Sequence, residues 1–312
     1  MVYTKNIEGN CVSYMTAYNQ AAGVLPFELR QVALSVPHPE RCLAEEIRLR
    51  IGQPITITLP EGEVFLPSSP IVTARDLSLA LENATQSSIH TVLDKMKRGF
   101  LTLQGGHRMG LCGTIAMDGG IIHNLCNISS VNIRIARQIR GIGEEIICRL
   151  RGNGDMPSAL ILAPPGMGKT TLLRDIICGL SNGVGGVALR VGVVDERGEL
   201  AAVHHGATQM DLGAHTDVMD GCSKADGMLM LLRGMSPQVL AVDEVTDPLD
   251  VDAMETAVGC GTIILATAHG KSLEDMERRP LYARLRERKI FSKVILIDRE
   301  CGMRRYRLED MP

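Results

Sequence analysis

Nine consecutive residues, Ala163–Thr171, read A-P-P-G-M-G-K-T-T and carry the plainest chemistry in the chain. Pro165, Gly166, Met167 and Gly168 form a turn whose N–H groups can close on a polyphosphate, because glycine lets the backbone bend tightly and approach a ligand. The helix expected over Thr171–Leu180 adds unpaired N–H donors and the positive end of its dipole. Lys169 would reach the β- and γ-phosphates, Thr170 would place its hydroxyl on Mg²⁺, and Thr171 continues the donor set into the helix. The strict pattern G-x-x-x-x-G-K-[ST] opens on glycine, and here Ala163, the smallest replacement, stands in that position. The apolar run Ala159–Leu162 supplies the preceding strand, so the setting is strand, glycine loop, helix.

A second group of residues fits the same chemistry. Val239-Leu-Ala-Val-Asp243-Glu244 is an apolar strand ending in two carboxylates. A buried strand of an open parallel sheet delivers its last residues to the ligand edge. Asp243 there would hold Mg²⁺ through water, and Glu244 would act as general base on the attacking water. Val191–Glu199 (V-G-V-V-D-E-R-G-E) also ends an apolar strand. Asp195 or Glu196 could position water or metal, and Glu196 and Arg197 could equally be surface residues capping the next helix. Thr262–His269 (T-I-I-L-A-T-A-H) is another such strand, ending in Thr267 and His269, where a polar group can sense the γ-phosphate or the attacking water.

These features together imply Mg²⁺-dependent hydrolysis of a nucleoside triphosphate by in-line attack of water, with Lys169 and the loop N–H groups stabilising the developing charge. Such sites often need an added arginine, worth about 10³–10⁵ in rate. Arg233, Arg48, Arg50, Arg108, Arg134 and Arg137 are the candidates, and the sequence does not choose among them.

The elements that must position these groups fall into two sets. Helices are expected over Val12–Ala22, Phe27–Leu34, Thr73–Asn83 and Ile89–Arg98. Strands are expected over Glu46–Ile51, Ile55–Leu59, Phe100–Leu103, Leu111–Met117, Ile121–Cys126 and Val131–Ile135, where period-two alternation signals half-buried strands. Residues 1–140 therefore read as an α+β domain of helices and antiparallel strands. Arg137–Arg151 reads as a connecting helix. From residue 141 to 312 apolar strands (Ala159–Leu162, Val187–Val194, Val239–Val242, Thr262–Ala266) alternate with helices. This pattern belongs to a mainly parallel sheet covered on both faces, an α/β core that carries the glycine loop. Ser292–Asp298 and Arg304–Leu308 read as a last hairpin around Cys301-Gly302. Leu200–Lys224 has no legible period.

Composition narrows the partners. The 312 residues are 45% hydrophobic, with no Trp, four Phe and five Tyr, so aliphatics and 16 Met fill the core. Few aromatics and a net charge of −3 disfavour a nucleic-acid platform, and no stable nucleic-acid binding is expected. Nine scattered Cys with no C-x-x-C pair argue against a zinc site or a disulfide framework and for a reducing compartment. With no signal-like start and no apolar run of membrane-spanning length, a cytoplasmic protein is expected, with peripheral membrane attachment left open.

The order of motifs, with L-L-R-G-M-S-P-Q before Val239 and A-T-A-H-G at the end of the last strand, resembles the ATPases of type II and type IV secretion and of pilus retraction. Gly-Glu is usual in that superfamily where this chain has Asp243-Glu244. Three longer stretches, E-I-R-L-R-I-G-Q-P (Glu46–Pro54), G-F-L-T-L-Q-G-G-H-R-M-G-L-C-G (Gly99–Gly113) and I-S-S-V-N-I-R-I-A-R-Q-I-R-G (Ile128–Gly141), resemble the stage III sporulation protein AA family. That resemblance implies a ring-forming, hexameric ATPase with a RecA-like P-loop NTPase core, on the cytoplasmic face of the mother-cell membrane, driving or assembling a channel to the forespore with membrane-protein partners. It also implies ATP bound between the two domains, with arginines of the N-terminal domain, Arg134 and Arg137 among them, or of a neighbouring subunit closing over it. The alternatives are a nucleic-acid-associated P-loop ATPase and a scaffold that binds ATP with little turnover.

Overall fold

Charged and apolar residues alternate through Glu46–Arg50, and the strand they form, β1, buries Ile47 and Leu49 completely while Glu46, Arg48 and Arg50 face outward. The computed structural model describes residues 13–85, 99–118, 121–152, 155–270, 272–277, 279–300 and 303–311. The helix expected over Ile89–Arg98 and the turn residues Gly119, Gly120, Cys301 and Gly302 lie outside the described residues. The chain divides into two compact units. One spans Met1–Arg137 and takes in Val203–Gln209; the other spans Gln138–Ala202 and Met210–Pro312.

In the first unit β1 lies between β2 (Thr56–Leu59) and β6 (Ile121–Arg134), antiparallel to both. The full sheet runs β3-β2-β1-β6-β5-β4, with β3 at Gly62–Phe65, β4 at Phe100–Thr102 and β5 at Arg108–Asp118. One face carries Ile47, Leu49, Ile57, Met109 and Ile133, which pack with Tyr18 and Ala21 of the helix at 13–22, Leu29 and Ala33 of Phe27–Leu34, and Leu77 and Leu81 of Ala74–Thr85. Burying one such aliphatic side chain is worth about 1.5–3 kcal/mol, so this face holds the unit together. The helix from Ala74 starts where a capping pattern predicts: Thr73 N–H donates to Asp76 at 2.8 Å and Asp76 N–H donates back to Thr73 Oγ1 at 3.3 Å.

In the second unit the sheet order is β13-β12-β7-β11-β10-β8-β9. The strands are β7 (Ala159–Ala163), β8 (Val191–Asp195), β9 (Thr216–Asp220), β10 (Val239–Val242), β11 (Ile263–His269), β12 (Lys293–Glu300) and β13 (Met303–Asp310). All pair in parallel except β13, which turns back along β12 at the edge. Every residue of β7, β8 and β10 is buried, as strands covered on both faces require.

Four expectations change. The connecting helix begins at Glu144 rather than Arg137, because Gly141 takes φ 78° and the N–H groups of Gly141 and Gly143 are pinned by the Asp175 carboxylate at 3.0 and 2.7 Å. The strand read from Val187 starts at Val191; Val187 is exposed. β5 and β6 form one long hairpin, with Ile121–Cys126 and Val131–Arg134 belonging to a single strand interrupted only in register. Cys42 is disulfide-bonded, which departs from the reducing compartment expected, whereas Cys112, Cys126, Cys148, Cys178, Cys222 and Cys260 are free. Among the described residues no helix is long and apolar enough to cross a membrane.

Candidate active site

Strand register decides which side chains meet in the second unit. In β11 and β7, His269 lies opposite Ala163, the residue that opens the glycine loop. In β10 and β11, Val242 lies opposite Ala266, so the next residues, Asp243 and Thr267, fall side by side. The loop then turns through Gly166 (φ 75°) and Gly168 (φ 91°), left-handed positions that favour glycine, and Gly168 caps the helix Lys169–Ser181. Pro165 and Gly166 are exposed, while Met167, Gly168, Thr170 and Thr171 are half-buried.

Lys169 is buried, and its ammonium donates to Ala163 O at 3.0 Å, Pro164 O at 3.2 Å and His269 Nδ1 at 2.9 Å. Burial pushes its pKa down, an effect opposed by Asp243 and Glu244. Because Nδ1 of His269 accepts from an ammonium, which has no acceptor of its own, the ring proton belongs on Nε2. Nε2 faces Glu244 Oε1, and the other carboxylate oxygen of Glu244 takes Arg197 Nη1. The result is a continuous chain, Lys169–His269–Glu244–Arg197.

Glu244 sits at φ 52°, a left-handed conformation that costs a non-glycine residue about 1–3 kcal/mol. Its backbone N–H donates to Thr267 Oγ1 at 2.8 Å, and Val245 N–H donates to Thr267 O at 3.0 Å. Thr267 thus holds both the strained turn and, through its hydroxyl, Asp243 Oδ1. Thr170 Oγ1 donates to Asp243 Oδ2 at 2.7 Å. A hydroxyl and a carboxylate converging from the two motifs form a hard-oxygen set suited to Mg²⁺. Thr170 and Asp243 are the residues here that could hold such an ion.

Asp195 and Glu196 are placed differently from that expectation. Asp195 is buried at the end of β8 and accepts from four N–H groups, Glu199 at 2.8 Å, Leu200 at 3.1 Å, Ala201 at 2.7 Å and Ala202 at 3.2 Å. Both carboxylate oxygens are spent on that loop. Arg174, from the helix after the glycine loop, closes the other side by donating to Leu200 O at 2.9 Å and to Glu199 O. Glu196 pairs with the buried Lys224 at 2.6 Å, and Lys224 also approaches Asp250 at 3.8 Å. The acidic stretch therefore shapes a loop, and the group it sends to Glu244 is Arg197.

Arg134 and Arg137 belong to the first unit. Arg134 Nε donates to Glu46 Oε1 at 3.0 Å and its side chain is largely exposed. Arg137 donates to Ala44 O and stacks over Tyr14, with burial lowering its pKa. Arg48 pairs with Glu46, Arg50 with Glu63, and Arg108 lies over the Phe100 ring.

A family model described as "Sporulation stage III, protein AA" matches residues 16–307. The chain belongs to this sporulation family. Stage III sporulation protein AA of Bacillus subtilis (strain 168) is 37% identical over 285 residues, covering 91% of this chain and 92% of that protein. Among solved structures, the pilus retraction motor PilT with bound ADP aligns with a TM-score of 0.59 at 17% identity, over 86% of this chain and 79% of that one. The ATPase DotB of Legionella pneumophila aligns with a TM-score of 0.56 at 16% identity, over 88% of this chain and 79% of that one. Those likenesses establish a shared α/β fold for this family member, in which the glycine loop, β10 and β11 meet at one sheet edge.

Proposed function

We propose that this chain is an Mg²⁺-dependent ATPase that works as a ring-forming motor, hexameric like the secretion ATPases it resembles, in the channel complex of endospore formation. The observation that carries the proposal is the hydrogen-bonded chain Lys169–His269–Glu244 beside the Thr170–Asp243 pair. ATP lies with its phosphates along the N–H groups of Pro165–Thr171, and Lys169 exchanges its loop carbonyls for phosphate oxygens. Thr170 and Asp243 hold Mg²⁺, which when bound neutralises phosphate charge. Glu244, held at the end of β10 by its turn and by His269, takes the proton of the attacking water. His269 keeps that carboxylate aimed and links it to Lys169, so occupation of the phosphate site is felt at the base. Asp195 and Glu196 serve by fixing the loop that carries Arg197.

Membership of the sporulation family and the PilT-like fold support the motor reading. In it the chain lies at the cytoplasmic face of the mother-cell membrane, recruited by membrane-protein partners. Stable nucleic-acid binding is not part of the activity. Phosphate release from ATP and Mg²⁺ by the purified chain tests the proposal. Turnover abolished by Lys169→Ala is the expected result. Turnover equal in both proteins, or dependent on added single-stranded nucleic acid, contradicts it.

A further inference from the structure

β12 pairs in parallel with β7 and β13 returns antiparallel, so the first residues of β13 lie at the sheet edge where β7, β10 and β11 end. Along β13 Met303, Arg305 and Arg307 are exposed, whereas Arg304, Tyr306 and Leu308 turn inward. The guanidinium of Arg304 rests on the phosphate loop. A Cβ built on Gly168 would come within 3.1 Å of Arg304 Cζ, 3.3 Å of Nη1 and 3.4 Å of Nε. Nε is buried and has no hydrogen-bond partner among the described residues. Neighbouring arginines of the strand are satisfied: Arg305 pairs with Glu300, and Arg307 with Asp298 and Glu309.

A buried guanidinium donor without an acceptor is costly unless a ligand supplies one. Gly168 is the cap of the helix whose first N–H groups form the anion-binding turn. A planar fork of donors matches the oxygens of phosphate or carboxylate, and the anion-binding turn beside it favours phosphate.

We propose that Arg304 is a polyphosphate ligand supplied in cis, its guanidinium seated on Gly168 and donating to a phosphate oxygen of the nucleoside triphosphate at the loop. The inference rests on the nucleotide-binding reading above. It makes the C-terminal hairpin part of the site, and it gives position 168 a second reason to be glycine, since a Cβ there would crowd the Arg304 guanidinium at 3.1 Å.

Titration of the purified chain with the fluorescent nucleotides mant-ATP and mant-GTP tests this. Arg304→Ala weakens both by about 10- to 100-fold, the effect of losing a charge-assisted contact. Arg304→Lys, which keeps the charge but not the fork, falls between. Arg305→Ala binds like the unaltered chain, and unfolding temperatures without nucleotide establish that the variants fold. Should Arg304→Ala not fold, a loss of about fivefold in Arg304→Lys carries the same meaning. Unchanged binding by a folded Arg304 variant overturns the inference, as does a loss confined to one base. Lys169→Ala separates the two readings: if it loses binding and Arg304→Ala does not, only Arg304 is misassigned. If Lys169→Ala binds as tightly as the unaltered chain, the loop itself is misread and both fall.

Discussion

Lys169 Nζ donates to His269 Nδ1 at 2.9 Å although 100 positions separate the two residues. The parallel register that sets His269 opposite Ala163 makes the contact, and the other ring nitrogen of His269 faces Glu244. His269→Ala therefore leaves the phosphate loop intact while freeing the Glu244 carboxylate from one of its two partners. We predict a fall in kcat of about 10²-fold, typical for loss of one positioned proton-transfer group, with mant-ATP affinity changed by less than about threefold. Parallel titration and phosphate-release assays check this; an equal loss in both would assign His269 to binding instead.

Arg197 reaches across to the other carboxylate oxygen of Glu244 from the loop after β8. Its side chain is half exposed, so the ion pair adds little stability, within about 0.5 kcal/mol. Arg197→Ala is predicted to unfold in urea at the concentration of the unaltered chain while its kcat changes by at least about fivefold. A variant normal in both respects would reduce Arg197 to a surface residue.

Asp195 has the opposite character. Four backbone N–H groups depend on it, and removing a buried acceptor leaves donors whose desolvation costs about 1–3 kcal/mol each. Asp195→Ala is predicted to lower stability by roughly 3 kcal/mol or more, measured by urea denaturation. Asp195→Asn, which keeps one acceptor oxygen, loses less. A stable but inactive Asp195→Ala protein would return Asp195 to the ligand set.

The parallel core was legible because β7, β10 and β11 are short apolar runs with polar residues at their ends, and burial on both faces leaves that mark on sequence. Gly141 and Gly143 before Glu144 also held a readable signal, since a left-handed glycine stops a helix, and the expectation of a helix from Arg137 passed over it. Other features left none. β3 is exposed at every residue and β9 is half-buried up to its exposed last residue, Asp220, so neither has a period of two. The pairing of Arg197 with Glu244, and the seat of Arg304 on Gly168, depend on strand order across 47 positions in the first case and on the β13 edge in the second. Acid at a strand end was legible, but whether it faces a ligand or its own loop was not, and Asp195 is the example.

His107 offers a pH test within the first unit. It is fully buried, Nδ1 accepts from Ala136 N–H at 3.0 Å, and burial pushes its pKa down to about 4. The folded form therefore resists protonation that the unfolded chain accepts near pH 6.5. The unfolded state binds the extra proton, so stability is unaffected above about pH 6.5 and falls as pH drops toward about 4, by roughly 3 kcal/mol in all. Unfolding temperatures of His107→Asn should decline less between pH 7 and pH 5 than those of the unaltered chain. Parallel curves for the two would contradict the assignment. Glu63, whose pKa Arg50 holds down at about 2, adds its own loss of stability only below the ordinary carboxylate range.

The central claim, that Glu244 turns a nucleotide-binding loop into a hydrolysis site, is tested most directly by Glu244→Gln. The amide keeps the size and the hydrogen bond to His269 or Arg197 but cannot take a proton. Single-turnover measurement with mant-ATP and Mg²⁺ should give binding within about threefold of the unaltered chain and phosphate release slowed by about 10²-fold or more. Phosphate release at the unaltered rate from the Gln variant would contradict the account.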